Sequence, residues 1–146
     1  TIELNRFAVE QEKVDVLAHP MAGEGDLNHV MANAAAEHGV RVELNLRPVL
    51  RESGGTRVRA IKDLRKCWEL IDDADAPFVV SADPHSHLDL RARRELRALG
   101  EEIGISGDVI EDGLAEWGRL AERNREIQSE AFIEPGVEAG RYDPDA

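Results

Sequence analysis

The sequence predicts an α/β fold, part of a TIM-type (β/α) barrel. Three observations predict it. Short apolar runs at residues 14–18, 40–46 and 78–81 have the length and composition of buried strands. Between them lie stretches whose apolar residues recur at helical spacings of three and four. The resulting alternation of strand and helix calls for parallel pairing with right-handed crossovers. A complete eight-stranded barrel needs about 250 residues, so a chain of 146 residues is expected to form only part of one.

Taken in order, residues 1–12 are too short to classify firmly, with 5–11 reading as the last turns of a helix. The run at 14–18 precedes His19-Pro20, a strand followed by a loop over 21–25. Asp26 is expected to cap a helix over 27–38 whose apolar face is Val30, Ala34 and Ala35, with Gly39 ending it. Strict alternation over 40–46 marks a strand, with Glu43 and Asn45 inside a barrel or at its mouth, where they need hydrogen-bond partners. Pro48 is expected to end that strand. Ser53-Gly54-Gly55 reads as a turn and Thr56 as the cap of a helix over 57–72, with Ile61, Leu64, Trp68 and Ile71 on one face. After the strand at 78–81 comes a polar turn to Asp89 and then a helix over 91–103, with Leu96 and Leu99 inward and its arginines outward. Residues 108–127 read as one or two further helices, and 129–146 as an acidic, disordered tail behind a domain at 1–128.

Composition narrows the class. Thirty acidic residues against 18 basic ones give a net charge of -12, which argues against a diffuse basic nucleic-acid surface. Lys13, Lys62 and Lys66 are the only lysines, however, so arginine supplies nearly all of the positive charge. An acid-rich, lysine-poor chain with 4% aromatic residues reads as a protein of very high salt, from a halophilic archaeon. The charge is also uneven: residues 41–66 hold eight basic groups and three acids, so a local cationic surface survives the overall balance. Cys67 is the only cysteine, which excludes an intramolecular disulfide and a cysteine-cluster metal site. Within an apolar helical pattern it reads as a small core residue. No apolar run approaches the roughly 20 residues of a membrane span, and no signal peptide is visible, so a cytoplasmic protein without a membrane partner is expected.

Function is expected in the stretch 78–100, where a strand delivers Asp83, His85, His87 and Asp89 into a loop that leads to Arg91, Arg93, Arg94 and Arg97. That stretch, FVVSADPHSHLDLRARRELRALGEEIGI over 78–105, follows VDVLAHP at 14–20, VELNLRPVL at 42–50 and TRVRAIKDLRKCWEL at 56–70. In order and spacing the four pieces resemble the archaeal ribonuclease P protein component 3 family, the p30 subunit of the ribonucleoprotein that removes the 5′ leader of precursor tRNA. The N-terminal third expected of that family has no counterpart, so the chain is expected to be the C-terminal portion of a longer protein.

The resemblance implies a PHP-like barrel and a non-catalytic subunit of an endoribonuclease. Catalysis would belong to the RNA component with its Mg²⁺ ions, and no cofactor would be bound by the protein. The implied partners are ribonuclease P RNA, protein component 2 in a heterotetramer, other holoenzyme proteins and, indirectly, precursor tRNA. The implied RNA-binding residues are Arg47, Arg57, Lys62, Lys66, Arg91 and Arg94, the last two placed three apart on one helical face. Guanidinium groups suit this role because they bind phosphate in bidentate fashion and keep their value where salt removes long-range fields. On a bland reading the same arginines are solvated or paired with nearby acids, as Arg91 with Glu95.

A rival reading is a PHP-type metal-dependent phosphoesterase. Such barrels carry His-Pro after one strand and Asp-x-His after a later one, matched here by His19-Pro20 and Asp83-Pro84-His85. Bound metal would activate water and stabilise the phosphoryl transition state. Residues 1–13 do not supply the His-x-His pair that anchors those sites. A third reading is an α/β fragment without remaining activity.

Overall fold

Three parallel strands frame the molecule: β1 (Val16–Leu17), β2 (Arg41–Asn45) and β3 (Phe78–Ser81), adjacent in that order. In this computed structural model, which describes residues 1–129, 132–134 and 137–138, β1 and β2 are each followed by helical chain that returns to start the next strand of the sheet. The fold is therefore α/β, a partial (β/α) barrel, as the strand and helix alternation predicts. Val42 aligns with Phe78 and Leu44 with Val80, so alternation puts these four on one face and Glu43, Asn45, Val79 and Ser81 on the other. Strand β1 is shorter than the expected 14–18, because only Val16 and Leu17 find partners on β2.

The helices differ from the sequence reading chiefly at their starts. Helix α1 runs Ile2–Val9, earlier than the turns expected over 5–11, because the Thr1 hydroxyl accepts from the Leu4 amide and caps it. Helix α2 runs His29–His38, and its cap is Asn28, whose Oδ1 accepts from the Met31 amide at 3.0 Å. Asp26 instead accepts from the Leu27 amide and from Lys66 Nζ. The buried face is Met31, Ala32 and Ala35, so Ala35 is inward as expected while Val30 is exposed. Gly39 ends the helix at φ 68, as expected.

Strand β2 ends at Asn45, three residues ahead of Pro48, which was expected to end it. Pro48 sits in the first turn of a short helix α3 (Arg47–Arg51), where its missing N–H costs nothing. Helix α4 (Gly54–Ala74) then starts three residues ahead of the expected 57, with Ser53 in place of Thr56 at the cap position. Leu64, Cys67 and Ile71 are buried beneath it, and Trp68 packs edge-on against Phe78 with ring centroids 5.3 Å apart. Helix α5 is Arg93–Ile103, not 91–103, and Ala92 at its cap position offers no side-chain acceptor; Glu95 Oε2 accepts the Ala92 amide at 3.0 Å. Residues 107–127 form one helix, α6 (Gly107–Ile127).

Contacts divide the chain into two units, Thr1–Glu116 and Trp117–Ala146. In the first, Val40, Val42, Leu44, Leu46, Val80, Ile105 and Ile110 are fully buried in one cluster. Arg97 ties α5 to the start of α6 by ion pairs to Asp108 and Glu111, each at 2.9 Å. In the second unit, strands β4 (Phe132–Glu134) and β5 (Val137–Glu138) pair antiparallel. The disordered tail expected over 129–146 falls mainly outside the described residues.

Gly113 on α6 lies directly against β3. A Cβ there would lie 2.4 Å from Val80 Cγ2 and 3.0 Å from the Val80 backbone nitrogen, and the backbone cannot yield as a side chain does. Gly113→Ala is expected to lower the unfolding free energy by about 1–3 kcal/mol. Urea denaturation measures this, and an unchanged midpoint would refute the packing of α6 on β3.

Candidate functional site

The C-terminal ends of the three strands, where barrels place their functional groups, carry a buried polar network. Glu43 is 6% exposed on the central strand; its Oε2 accepts the His19 amide at 2.8 Å and its Oε1 accepts the Ser81 hydroxyl. Asn45 Nδ2 lies 2.9 Å from His19 Nδ1, which accepts when the imidazole carries its proton on Nε2. Asn45 Oδ1 in turn accepts the Arg47 amide at 2.8 Å. The partners that Glu43 and Asn45 need thus come from all three strand ends. Beside them runs a groove of about 210 Å³, with Met21, Pro48 and Leu64 among its apolar lining and Arg59 on its polar side.

The loop after β3 is built on a second buried acid. Asp89 is 7% exposed, and its Oδ2 accepts the His85 amide at 3.1 Å. Arg51 Nη1 lies 2.9 Å from Oδ1 without hydrogen-bond alignment, and Arg47 Nη1 lies 3.7 Å from Oδ2 while donating to the Asp83 carbonyl at 2.9 Å. Burial pushes the Asp89 pKa up, but the His85 amide and the Arg51 and Arg47 guanidiniums outweigh it and hold the carboxyl below its ordinary value. Arg91 lies ahead of α5, so it does not share a helical face with Arg94; its Nη1 donates to the carbonyls of Leu88 and Leu90 at 3.1 and 2.9 Å. Nor does it pair with Glu95, whose carboxylate is at the α5 cap.

The residues of the metal reading are only partly assembled. His85 Nε2 is 3.4 Å from Asp83 Oδ2, but His19 Nδ1 is engaged by Asn45. Among the described residues no group of three or more His, Cys, Asp or Glu is placed to hold a metal ion. His19, Asp83 and His85 are therefore not gathered into one three-donor cluster among the described residues. Cys67 is buried, and burial pushes its thiol up to about 12, which suits a core residue and not a nucleophile.

The basic residues divide into two kinds. Arg47 is largely covered and holds the loop, and Arg91 props the turn. Arg57, Lys62 and Arg94 are exposed and make no ion pair with any described residue. Lys66 is half-exposed and pairs with Asp26 at 2.6 Å. On α4, Lys62 and Lys66 form a stripe with Arg59, spaced three and four apart and opposite the buried Leu64, Cys67 and Ile71. Arg57 points away from that stripe at the helix start, about 140° from Lys62. Arg59 was not singled out by sequence reasoning, although its spacing of three and seven to Lys62 and Lys66 marks it.

Asp89 gives a test of the loop anchor. Asp89→Asn keeps the volume and removes the charge that both guanidiniums face. We expect it to unfold at lower urea concentration than the parent at neutral pH. A lowered folded pKa adds stability above the unfolded value of about 4 and loses it as pH falls through the folded one. The gap should therefore be constant above about pH 5 and close below about pH 4; a gap that persists undiminished at low pH would rule the charge out as its source.

Comparison with known proteins places this geometry. The family model described as RNase P subunit p30 matches residues 1–129. Ribonuclease P protein component 3 of Haloarcula marismortui is 64% identical over 134 residues, which cover 92% of this chain and 57% of that protein. The component 3 of Natronomonas pharaonis is 60% identical, over 97% of this chain and 59% of its own length, and that of Methanosarcina mazei 36% identical over 92% and 56%. The chain thus spans less than two-thirds of the length of these relatives. A chain in a cryo-EM structure of archaeal ribonuclease P with mature tRNA matches all of this one with a TM-score of 0.82 and 25% identity, over 63% of that chain. By the match over residues 1–129, this chain belongs to the RNase P subunit p30 family.

Proposed function

We propose that the chain works as a protein subunit of ribonuclease P, the ribonucleoprotein that removes the 5′ leader of precursor tRNA. The observation that carries this reading is the family match over residues 1–129, supported by the fold it shares with a chain of an archaeal ribonuclease P complex. In this role the phosphodiester is cleaved by the RNA component with its Mg²⁺ ions, and precursor tRNA is met indirectly. The protein supports the fold of the RNA, together with protein component 2 in a heterotetramer and other holoenzyme proteins, in the cytoplasm. Among the described residues no helix is long and apolar enough to cross a membrane.

RNA contact is assigned to the α4 stripe of Arg59, Lys62 and Lys66, with Arg57 and Arg94 as further phosphate ligands. All are exposed, and the one ion pair among them, Lys66 to Asp26, is a surface pair that phosphate can displace at little cost. Arg47, by contrast, acts from behind by holding the loop that follows β3, while the exposed Arg91 braces the turn ahead of α5.

The stripe is tested in the full-length protein reconstituted with ribonuclease P RNA and the other subunits. Changing Arg59 and Lys62 together to alanine is expected to weaken processing of precursor tRNA. It should also reduce the slope of log affinity against log salt by roughly 1 to 2 units, about one per phosphate released. An unchanged slope together with unchanged processing would remove these residues from the interface.

A further inference from the structure

The turn at residues 87–90 exposes apolar side chains on a rigid support. Leu88 is 72% exposed, more than any other large apolar residue described, and Leu90 is 64% exposed. Between them Asp89 points inward and is held by the His85 amide and the two guanidiniums described above. Its own amide donates to the Ser86 carbonyl at 3.0 Å, and Arg91 bonds the carbonyls on either side. A single exposed leucine on a loose loop needs no explanation. Two leucines thrust outward around a buried, ion-paired anchor are different, because the bonds that fix the turn also prevent it from folding them away.

The surroundings define what fits there. Arg91, Arg93 and Arg94 crowd the N-terminal end of α5, where positive charge opposes the helix dipole, and Glu95 is the one acid in its first turn. On a chain of net charge -12 these three exposed arginines follow the apolar tip directly in sequence and make no ion pair with any described residue, which gives the tip an unneutralised cationic collar. Arginine phosphate contacts alone leave the leucines wet, and leucine lacks the flat face on which bases stack. A protein surface with an apolar recess and a carboxylate rim satisfies both. High salt sharpens that choice, since it screens the collar's long-range field and strengthens apolar association.

We infer that Leu88 and Leu90, collared by Arg91 and Arg93, dock into an acid-rimmed apolar recess on another protein subunit of the same particle. This rests on the function proposed above. The apolar tip supplies the affinity, and the collar supplies the register.

The test uses the full-length protein in the reconstituted particle. With Leu88→p-benzoylphenylalanine, irradiation is expected to crosslink the chain to another protein subunit. Leu88→Ser with Leu90→Ser should weaken association with that subunit by about 100-fold or more, as expected for two leucines removed from an interface. The urea midpoint of the free protein should not move, because no described residue covers the leucines. Crosslinks to RNA alone, or within the chain, would overturn the inference, as would a fall in the midpoint, which would mean that the leucines pack against their own chain. If the particle still matures precursor tRNA in those cases, the docking site is wrong and the subunit role stands. A chain that joins no such particle overturns both.

Discussion

One buried carboxylate holds the strand ends together. Glu43 takes the His19 amide from the β1 side and the Ser81 hydroxyl from the β3 side. A carboxylate removed from water is costly unless hydrogen-bonded, and both donors arrive only if β1 and β3 end level with β2. The charge therefore fixes a register that β1, with its two paired residues, is too short to fix alone. Sharp turns follow. His19 and Asp83, each just beyond a strand end, adopt φ of 50 and 40, conformations that cost about 1–3 kcal/mol each and persist where surrounding bonds over-determine them.

The same tie decides what these polar residues do. In a metal-dependent barrel the imidazoles and carboxylates at the strand ends face an ion. Here Glu43 is occupied by two donors, His19 Nδ1 by an amide, and Asp89 by an amide and two guanidiniums. These groups organise backbone. Arg47 bridges the two centres, since its amide closes on Asn45 while its guanidinium reaches the Asp83 carbonyl and the Asp89 carboxylate. Disturbing either centre is thus transmitted to the loop that carries Leu88 and Leu90.

Much of this was legible in the sequence because it rests on periodicity. The strand alternation around Glu43 and Asn45 and the inward side of α4 follow from spacing, strand β3 from its apolar run and the Gly39 cap from its residue type. Competition was what the sequence hid. Asp26 and Asn28 are both good caps, and Lys66, 40 positions away, decides between them by engaging Asp26. Ser53-Gly54-Gly55 reads as a turn, yet the glycines enter α4. Arg91 and Arg94 look like one helical face only if the helix begins at 91; the buried Asp89 and the Arg91 bonds to the preceding carbonyls hold the chain in a turn instead. Long-range partners of single charges leave no local pattern, so the roles of Arg47 and Arg51 waited for the structure.

The position of the cations resolves the apparent conflict between a chain of net charge -12 and the RNA partner proposed for it. At molar salt the Debye length is about 3 Å, so the total charge barely reaches an approaching phosphate. What counts is whether a donor can touch it. Arg59, Lys62 and Lys66 meet that condition because α4 turns its apolar side to the sheet and leaves this stripe outward. Asp26 competes for Lys66 on the same terms: the Lys66 hydrogen bond lowers its pKa, so it stays ionised as a rival anion. A phosphate must displace a charged neighbour at contact range, where geometry decides and the acidic remainder of the surface has no influence.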